Sequence, residues 1–318
     1  MKRLSREHAW SLLGLAAVAI SVWLLYHQLH GLRLDHVLAS LRAIPATGWT
    51  LAALATLVAY AALAGYDRLA LMHLRKRVSW PFIVAASFTA YAIGHNVGAS
   101  VLSGGVVRYR AYRAKGLRPL EVGVLVAFCT FTFVLGAVLL GGVVLLWHPE
   151  LLLRLLPQLP PWLPRLIGLL MLLGVALYIA GSRARFKPLK WRGFRLRYPH
   201  AAVAWRQLFV GPLELAAAAA IIHFVLPEAG HPGYIVVLGM FLASFSAALI
   251  SHAPGGLGVL EVVFLLGLPE LPKADVLAAL LIFRLFYLLL PFALSIGVIL
   301  LFERSRWLRG LTTPAAAE

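Results

Sequence analysis

The chain has 318 residues, 61% of them hydrophobic and 13% charged, with a net charge of +17 and a mean hydropathy of +0.86. That much apolar surface exceeds what a soluble core of this size can hide, and several runs reach the roughly 20 residues that cross a bilayer, so the chain is a polytopic membrane protein. A single cysteine, Cys129, excludes a disulfide framework or CxxC metal site and reads as packing, and basic residues grouped between apolar runs read as topology signals and headgroup contacts rather than a nucleic-acid surface.

In chain order, full-length apolar segments cover 9–29, 46–70, 120–147, 164–181, 201–226 and 275–302. Each suits a helix rising about 1.5 Å per residue across a core of about 30 Å. The first follows Lys2, Arg3 and Arg6, is longer than a signal h-region and lacks a cleavage site, so it is expected to be retained. Leu32 to Ile44 suits a short surface helix or a connector, and Leu156 to Pro164 an interfacial loop. Two further apolar segments are broken, at Gly94-His95-Asn96-Val97-Gly98 and at His252-Ala253-Pro254-Gly255-Gly256. They read as re-entrant hairpins, over about 80–118 and about 234–268.

Those broken segments are related. ASFTAYAIGHNVG at 86–98 returns 157 residues later as ASFSAALISHAPG at 243–255, with seven of thirteen positions identical. The spans beginning near 9, 46 and 120 have counterparts near 164, 201 and 275, an offset of about 155. Cytoplasmic loops hold the Lys and Arg excess. With the N-terminus inside and both hairpins re-entrant, 21 basic residues fall on the cytoplasmic side against five outside, Arg33, Arg42, Arg154, Arg165 and Lys273. A fully crossing first hairpin would put the seven basic residues of 183–197 outside. The expected fold is therefore an all-α polytopic membrane protein of one domain, with about six full spans and two re-entrant hairpins. Residues 9–147 and 164–302 form its two halves as an inverted repeat, 303–318 form a cytoplasmic tail, and both termini are cytoplasmic.

Charges inside spans cost about 2.5–3.5 kcal/mol each on insertion scales, so they are functional candidates. Asp67 can pair with Arg108 or with Arg68. Glu214, near the middle of its span with Gln207 two turns earlier, needs a partner on another helix, as an ion pair or in a charge-coupling role. Arg284 lies too deep to snorkel. Glu261, one turn beyond Pro254-Gly255-Gly256-Leu257-Gly258, can cap its helix, pair with an arginine, receive an amine or carry a proton. Gly104 and Gly105 precede Arg108 and Arg110, a glycine-arginine run suited to a phosphate; a solvated face is the alternative for Arg110. His95, Asn96, His252 and Pro254 mark the hairpin tips. Neither histidine has a second ligand at metal spacing, and no G-x-S-x-G elbow accompanies Ser244, Ser246 and Ser251. No catalytic residue, metal or cofactor is expected, and the chain does not read as an enzyme.

Tyr66-Asp67-Arg68-Leu69, GHNVGASVLSGGVVRYRAYRAKGL at 94–117, HAPGGLGVLEVVF at 252–264 and Arg284-Leu285-Phe286-Tyr287 resemble the lysylphosphatidylglycerol synthase transmembrane-region family, especially its stand-alone YbhN-type inner-membrane members. The resemblance covers nearly the whole chain. It implies a flippase-like role in the bacterial inner membrane, carrying a lipid headgroup through an intramembrane cavity, with Asp67, Arg108, Glu261 and Arg284 on the charged motif positions. In two-domain relatives a soluble synthetase domain adds the amino acid; here fifteen residues follow Glu303, so aminoacyl transfer is not implied. Membrane phospholipid, anionic or aminoacylated, is the expected partner; nucleic acid is not, and a homodimer is allowed. The competing readings are polyprenyl-phosphate recycling, a non-transporting scaffold and a small-solute secondary transporter.

Overall fold

The computed structural model describes residues 34–97, 100–184, 189–191, 194–196, 198–251 and 258–300. The first expected span, the tip residues His252, Pro254, Gly255 and Gly256, and the tail 303–318 lie outside the described residues. In chain order the helices are α1 (Leu34–Ala43), α2 (Ala46–His73), α3 (Trp80–Val97), α4 (Ser100–Arg113), α5 (Pro119–Trp147), α6 (Glu150–Leu155), α7 (Leu163–Arg183), α8 (Ala201–His223), α9 (Tyr234–Ser251), α10 (Val259–Gly267) and α11 (Lys273–Leu300). Five of them, α2, α5, α7, α8 and α11, are long and apolar enough to cross a membrane. They fall within a few residues of the five corresponding apolar segments, because length and hydropathy alone dictate them.

Proline starts and left-handed stops set the ends that matter. Helix α2 ends in a Schellman turn: Arg75 adopts φ 56°, the Lys76 N–H donates to Leu71 O at 2.9 Å and the Arg75 N–H to Met72 O at 3.1 Å. Helix α4 ends the same way around Gly116 at φ 80°, with Leu117 N–H to Tyr112 O and Gly116 N–H to Arg113 O. Pro119 then opens α5, whose Glu121 carboxylate accepts the Arg118 N–H at 2.8 Å and the Lys76 ammonium at 3.1 Å. These stops place Asp67 of α2 beside Arg108 of α4.

Two helical hairpins pack against the long helices. Helices α3 and α4 lie so close that a Cβ on Gly104 would sit 2.8 Å from Ala90 O. In the second hairpin, α9 and α10 meet where Gly267 faces Met240. Helix α8 starts about 155 residues after α2, α9 about 154 after α3, and α11 about 154 after α5. Long helix, hairpin, long helix therefore occurs twice. Helices α2 and α8 form the central pair and run antiparallel, with Gly48 opposite Phe224 and Gly65 opposite Val210. Alanines at 52, 55, 59, 217, 218 and 219 are buried in the core there, because small residues let membrane helices approach closely. Exposed leucines, such as 54 and 57 on α2 and 169, 170, 173 and 177 on α7, present the apolar outer surface.

Three local features depart from the expectation. Helix is kept over most of the first expected break: α3 runs through Gly94 to Val97, so His95 and Asn96 lie in its last turn, since neither residue type forbids helix. The basic loop before α8 holds a two-stranded ribbon, β1 (Leu189–Trp191) and β2 (Phe194–Leu196), with Leu189 opposite Leu196. In the same register Lys190 pairs with Arg195 and Trp191 with Phe194. Helix α6, too short for an apolar scan to find, has Glu150 in its first turn and Arg154 in its last, matching the helix dipole. Arg154 bonds Glu270 at 2.9 Å and the Gly267 carbonyl at 3.2 Å, tying α6 to the end of α10.

Helices α5 and α8 cross where a Cβ on Gly136 would lie 2.6 Å from the Gly211 backbone. Gly136→Val is expected to destabilise the detergent-solubilised protein by about 1–3 kcal/mol or more, because backbone cannot yield as a side chain does. Gly174→Ala, where a Cβ meets nothing within 4 Å, should leave the thermal midpoint unchanged or slightly raised. Thermal unfolding followed by circular dichroism checks both.

Candidate functional site

Three carboxylates inside the helical body each have a different partner. Asp67 is fully buried and receives a side-on guanidinium: Arg108 Nε donates at 3.1 and 3.2 Å to its two oxygens and Nη2 at 2.9 Å to Oδ1. Tyr112 donates to Oδ2 at 2.8 Å, and the Cys129 thiol lies 3.4 Å from Oδ1. The Arg108 guanidinium lies 4.3 Å from the Tyr91 ring centroid, a cation–π contact. Two charges taken from water cost several kcal/mol each, offset only when the geometry is good and the remaining lone pairs are satisfied. Four helices, α2 to α5, supply those contacts.

Glu214 on α8 is also buried, but its partners are hydroxyls. Tyr66 of α2 donates to Oε2 at 3.2 Å and Tyr287 of α11 donates to Oε1. Gln207, two turns away, is engaged elsewhere: Nε2 donates to Thr132 Oγ1 at 2.7 Å and Oε1 accepts from Tyr178 at 2.6 Å. Glu214 thus meets its need for partners on other helices without an ion pair among the described residues.

Glu261, third residue of α10, does two things at once. Its Oε2 accepts the N–H of Gly258, which adopts φ 80°, and its Oε1 accepts Arg284 Nε at 2.8 Å and Nη2 at 2.6 Å. Capping and ion pairing, alternatives in the sequence, coexist. Both side chains keep about an eighth of their surface exposed, against 5% and 0% for Arg108 and Asp67. The second pair is the accessible one.

Arg284 opens a stretch of π-helix, Arg284–Leu289, in the middle of α11. Two of its carbonyls take donors from other elements: Tyr60 of α2 donates to Tyr287 O and Asn96 of α3 to Leu288 O, both at 3.0 Å. His95 stacks on the Tyr287 ring at 5.2 Å and meets Phe245 of α9 edge-on at 6.5 Å. The two hairpins therefore converge on the π-segment, the first through Asn96 and His95 and the second through Glu261. Three separate polar clusters result, Arg108 with Asp67, Glu214 with Tyr66 and Tyr287, and Arg284 with Glu261, on neighbouring positions of α2 and of the π-segment.

Other expected residues take different places. Gly104 is buried, with Arg108 Nη1 3.5 Å from where its Cβ would be, and Gly105 is half-buried near Val126. Arg110, Arg68 and Arg206 are exposed. Cys129, read from the sequence as packing, lies against Asp67, and Tyr60, Tyr91 and Tyr112 join it as residues without an anomaly of their own; for Tyr60 and Tyr91, burial in the middle of a helix rather than at the ends where interfacial belts sit is the signal that could have found them. Among the described residues no three His, Cys, Asp or Glu side chains cluster as metal ligands.

The fold and site define a polytopic, all-helical membrane protein with charged and hydroxyl groups threaded through its interior. A family model described as the lysylphosphatidylglycerol synthase TM region matches residues 12–295, and the chain belongs to that family. It is 31% identical to the uncharacterized protein slr0712 of Synechocystis over 92% of both chains. It is 30% identical to the inner membrane protein YbhN of Escherichia coli over 77% of both. The phosphatidylglycerol lysyltransferase of Bacillus subtilis is 24% identical over 92% of this chain, a match covering 34% of that larger protein.

Arg108→Met leaves Asp67 as an unpaired buried charge and is expected to cost about 3–5 kcal/mol. Combining it with Asp67→Asn should recover much of that loss, since the pair is then removed together. Denaturation of the purified variants in detergent, analysed as a double-mutant cycle, reads the coupling.

Proposed function

We propose that this protein is a lipid translocase of the inner membrane, not an enzyme, which moves phospholipid headgroups through its polar interior while the acyl chains stay in lipid. The observation that carries the reading is the partly exposed Arg284–Glu261 pair at the N-terminus of α10. A guanidinium held by a carboxylate is a phosphate site in waiting. A headgroup phosphate can exchange with Glu261 for the Arg284 fork and the helix N-terminus, and an amine can take the carboxylate so released. Arg108, sealed with Asp67, becomes available only when that pair opens.

The twofold order of elements and the antiparallel α2–α8 pair support reading the chain as an inverted repeat with re-entrant hairpins. The distribution of loop charge supports N- and C-termini on the cytoplasmic side. Rocking of one half against the other then exposes the site to each side in turn. A relative whose name concerns phosphatidylglycerol supports an anionic phospholipid as cargo. Polyprenyl phosphate shares the arginine chemistry and is the second reading.

The full chain in proteoliposomes should move fluorescent phosphatidylglycerol between leaflets faster than protein-free vesicles, as read by chemical quenching from outside. Arg284→Lys, which keeps charge but loses the fork, should slow it about tenfold or more while circular dichroism stays unchanged. A rate no faster than in empty vesicles under both pH and voltage gradients would overturn phospholipid translocation; movement of a labelled polyprenyl phosphate alone would favour the second reading.

A further inference from the structure

We propose that the carboxyl group of Glu214, held between the hydroxyls of Tyr66 and Tyr287, is a proton-binding site that couples translocation to the transmembrane proton gradient. The inference deepens the translocase reading and rests on it for the coupling, though not for the site.

The three carboxylates of the helical body divide by partner. Asp67 and Glu261 each face an arginine that balances a fixed negative charge. Glu214, nearly as deep as Asp67, has only the two tyrosine hydroxyls among the described residues. Such a group is equipped for both protonation states. As a carboxylate it accepts from both tyrosines. As an acid it donates its own proton to one tyrosine oxygen, whose hydroxyl turns to another acceptor, and Gly211 O already lies 3.4 Å from the Tyr66 hydroxyl. A proton can therefore arrive and leave without stranding a buried polar atom, which otherwise costs several kcal/mol in a membrane. An arginine-paired carboxylate cannot do this, because its proton would strand the guanidinium.

The surroundings are consistent with that role. From α2 the groups facing this region are Tyr60, Tyr66 and Asp67, the last held by Arg108 of α4; from α11, Tyr287 and Arg284, the latter held by Glu261. Helix α5 brings Cys129, on Asp67, and α3 brings Tyr91 under Arg108 and His95 on the Tyr287 ring. Tyr178 of α7 and Tyr234 of α9 are bonded to Gln207 and to Ala216 O. No cation among these bonds Glu214.

Coupling follows from the π-segment. Tyr287 belongs to the same wide turn as Arg284, so a change in the Glu214–Tyr287 bond acts on the element that positions the guanidinium against Glu261. A π-turn needs little motion to rewind, and such turns recur at functional sites. Protonation and headgroup release are thereby linked across one turn of helix.

Two measurements on the full chain in phosphatidylglycerol–phosphatidylethanolamine vesicles test this. Infrared difference spectroscopy between high and low pH reads the C=O stretch of a carboxylic acid directly. The wild type should show that band, Glu214→Gln should lose it, and Tyr287→Phe should move its pH midpoint by roughly one unit, having removed one hydrogen bond to the carboxylate. In the second, an imposed pH gradient should speed labelled phosphatidylglycerol about tenfold in the wild type and leave Glu214→Gln at one gradient-independent rate. A wild-type band surviving in Glu214→Gln, or a full gradient response in that variant, overturns the proton site. If the band behaves as expected but the wild type moves no labelled lipid, the proton site stands and the phospholipid reading falls.

Discussion

A polar atom inside a bilayer has no water to turn to, so an unanswered one is costly and the protein must supply its partner. That constraint organises the interior around the π-segment of α11. Its carbonyls at Tyr287 and Leu288 are met by Tyr60 and Asn96, its Arg284 by Glu261, and its Tyr287 hydroxyl by Glu214. Three of the partners come from outside α8, from a long helix and from both hairpins. A wide turn that would be a defect in an isolated helix is here the place where the two halves are joined.

The order of elements repeats, but the chemistry does not. The elements recur at a spacing of about 155 residues, yet the charges do not. The first half places Asp67 and Arg108 in a sealed, fully bonded pair; the second leaves Glu261 and Arg284 partly open beside a helix N-terminus. Glu214, on the helix that answers α2, keeps only hydroxyl partners among the described residues. Three carboxylates in three settings suit three tasks: holding the first hairpin to α2, exchanging with an anionic ligand, and taking up a proton.

Much of the architecture was legible before any coordinates. Apolar length located α2, α5, α7, α8 and α11, and the repeated segment at 86–98 and 243–255 marked both hairpins. The rule that intramembrane charges are functional drew attention to Asp67, Glu214, Glu261 and Arg284. Less visible were the tyrosines and Cys129, since an apolar or amphipathic residue in an apolar span carries no anomaly of its own. Also not legible was that helix persists through Gly94, His95 and Asn96 to Val97, since these are merely weak helix formers and packing of α3 on α4 outweighs so small a preference.

By itself the sequence determined that the chain lies in a membrane, how many long helices the described region contains, that one segment recurs, and which charges are out of place. Those properties depend on composition and on neighbours along the chain, which a linear reading sees in full. Only the tertiary structure decided that Asp67 takes Arg108 rather than Arg68, that Glu261 both caps and pairs, that Glu214 has tyrosines instead of a cation, and that α11 widens into a π-turn. Partners at separations of 23 to 148 residues are chosen by which helices pack together. That choice is collective, made by the whole apolar surface at once, and no single motif encodes it.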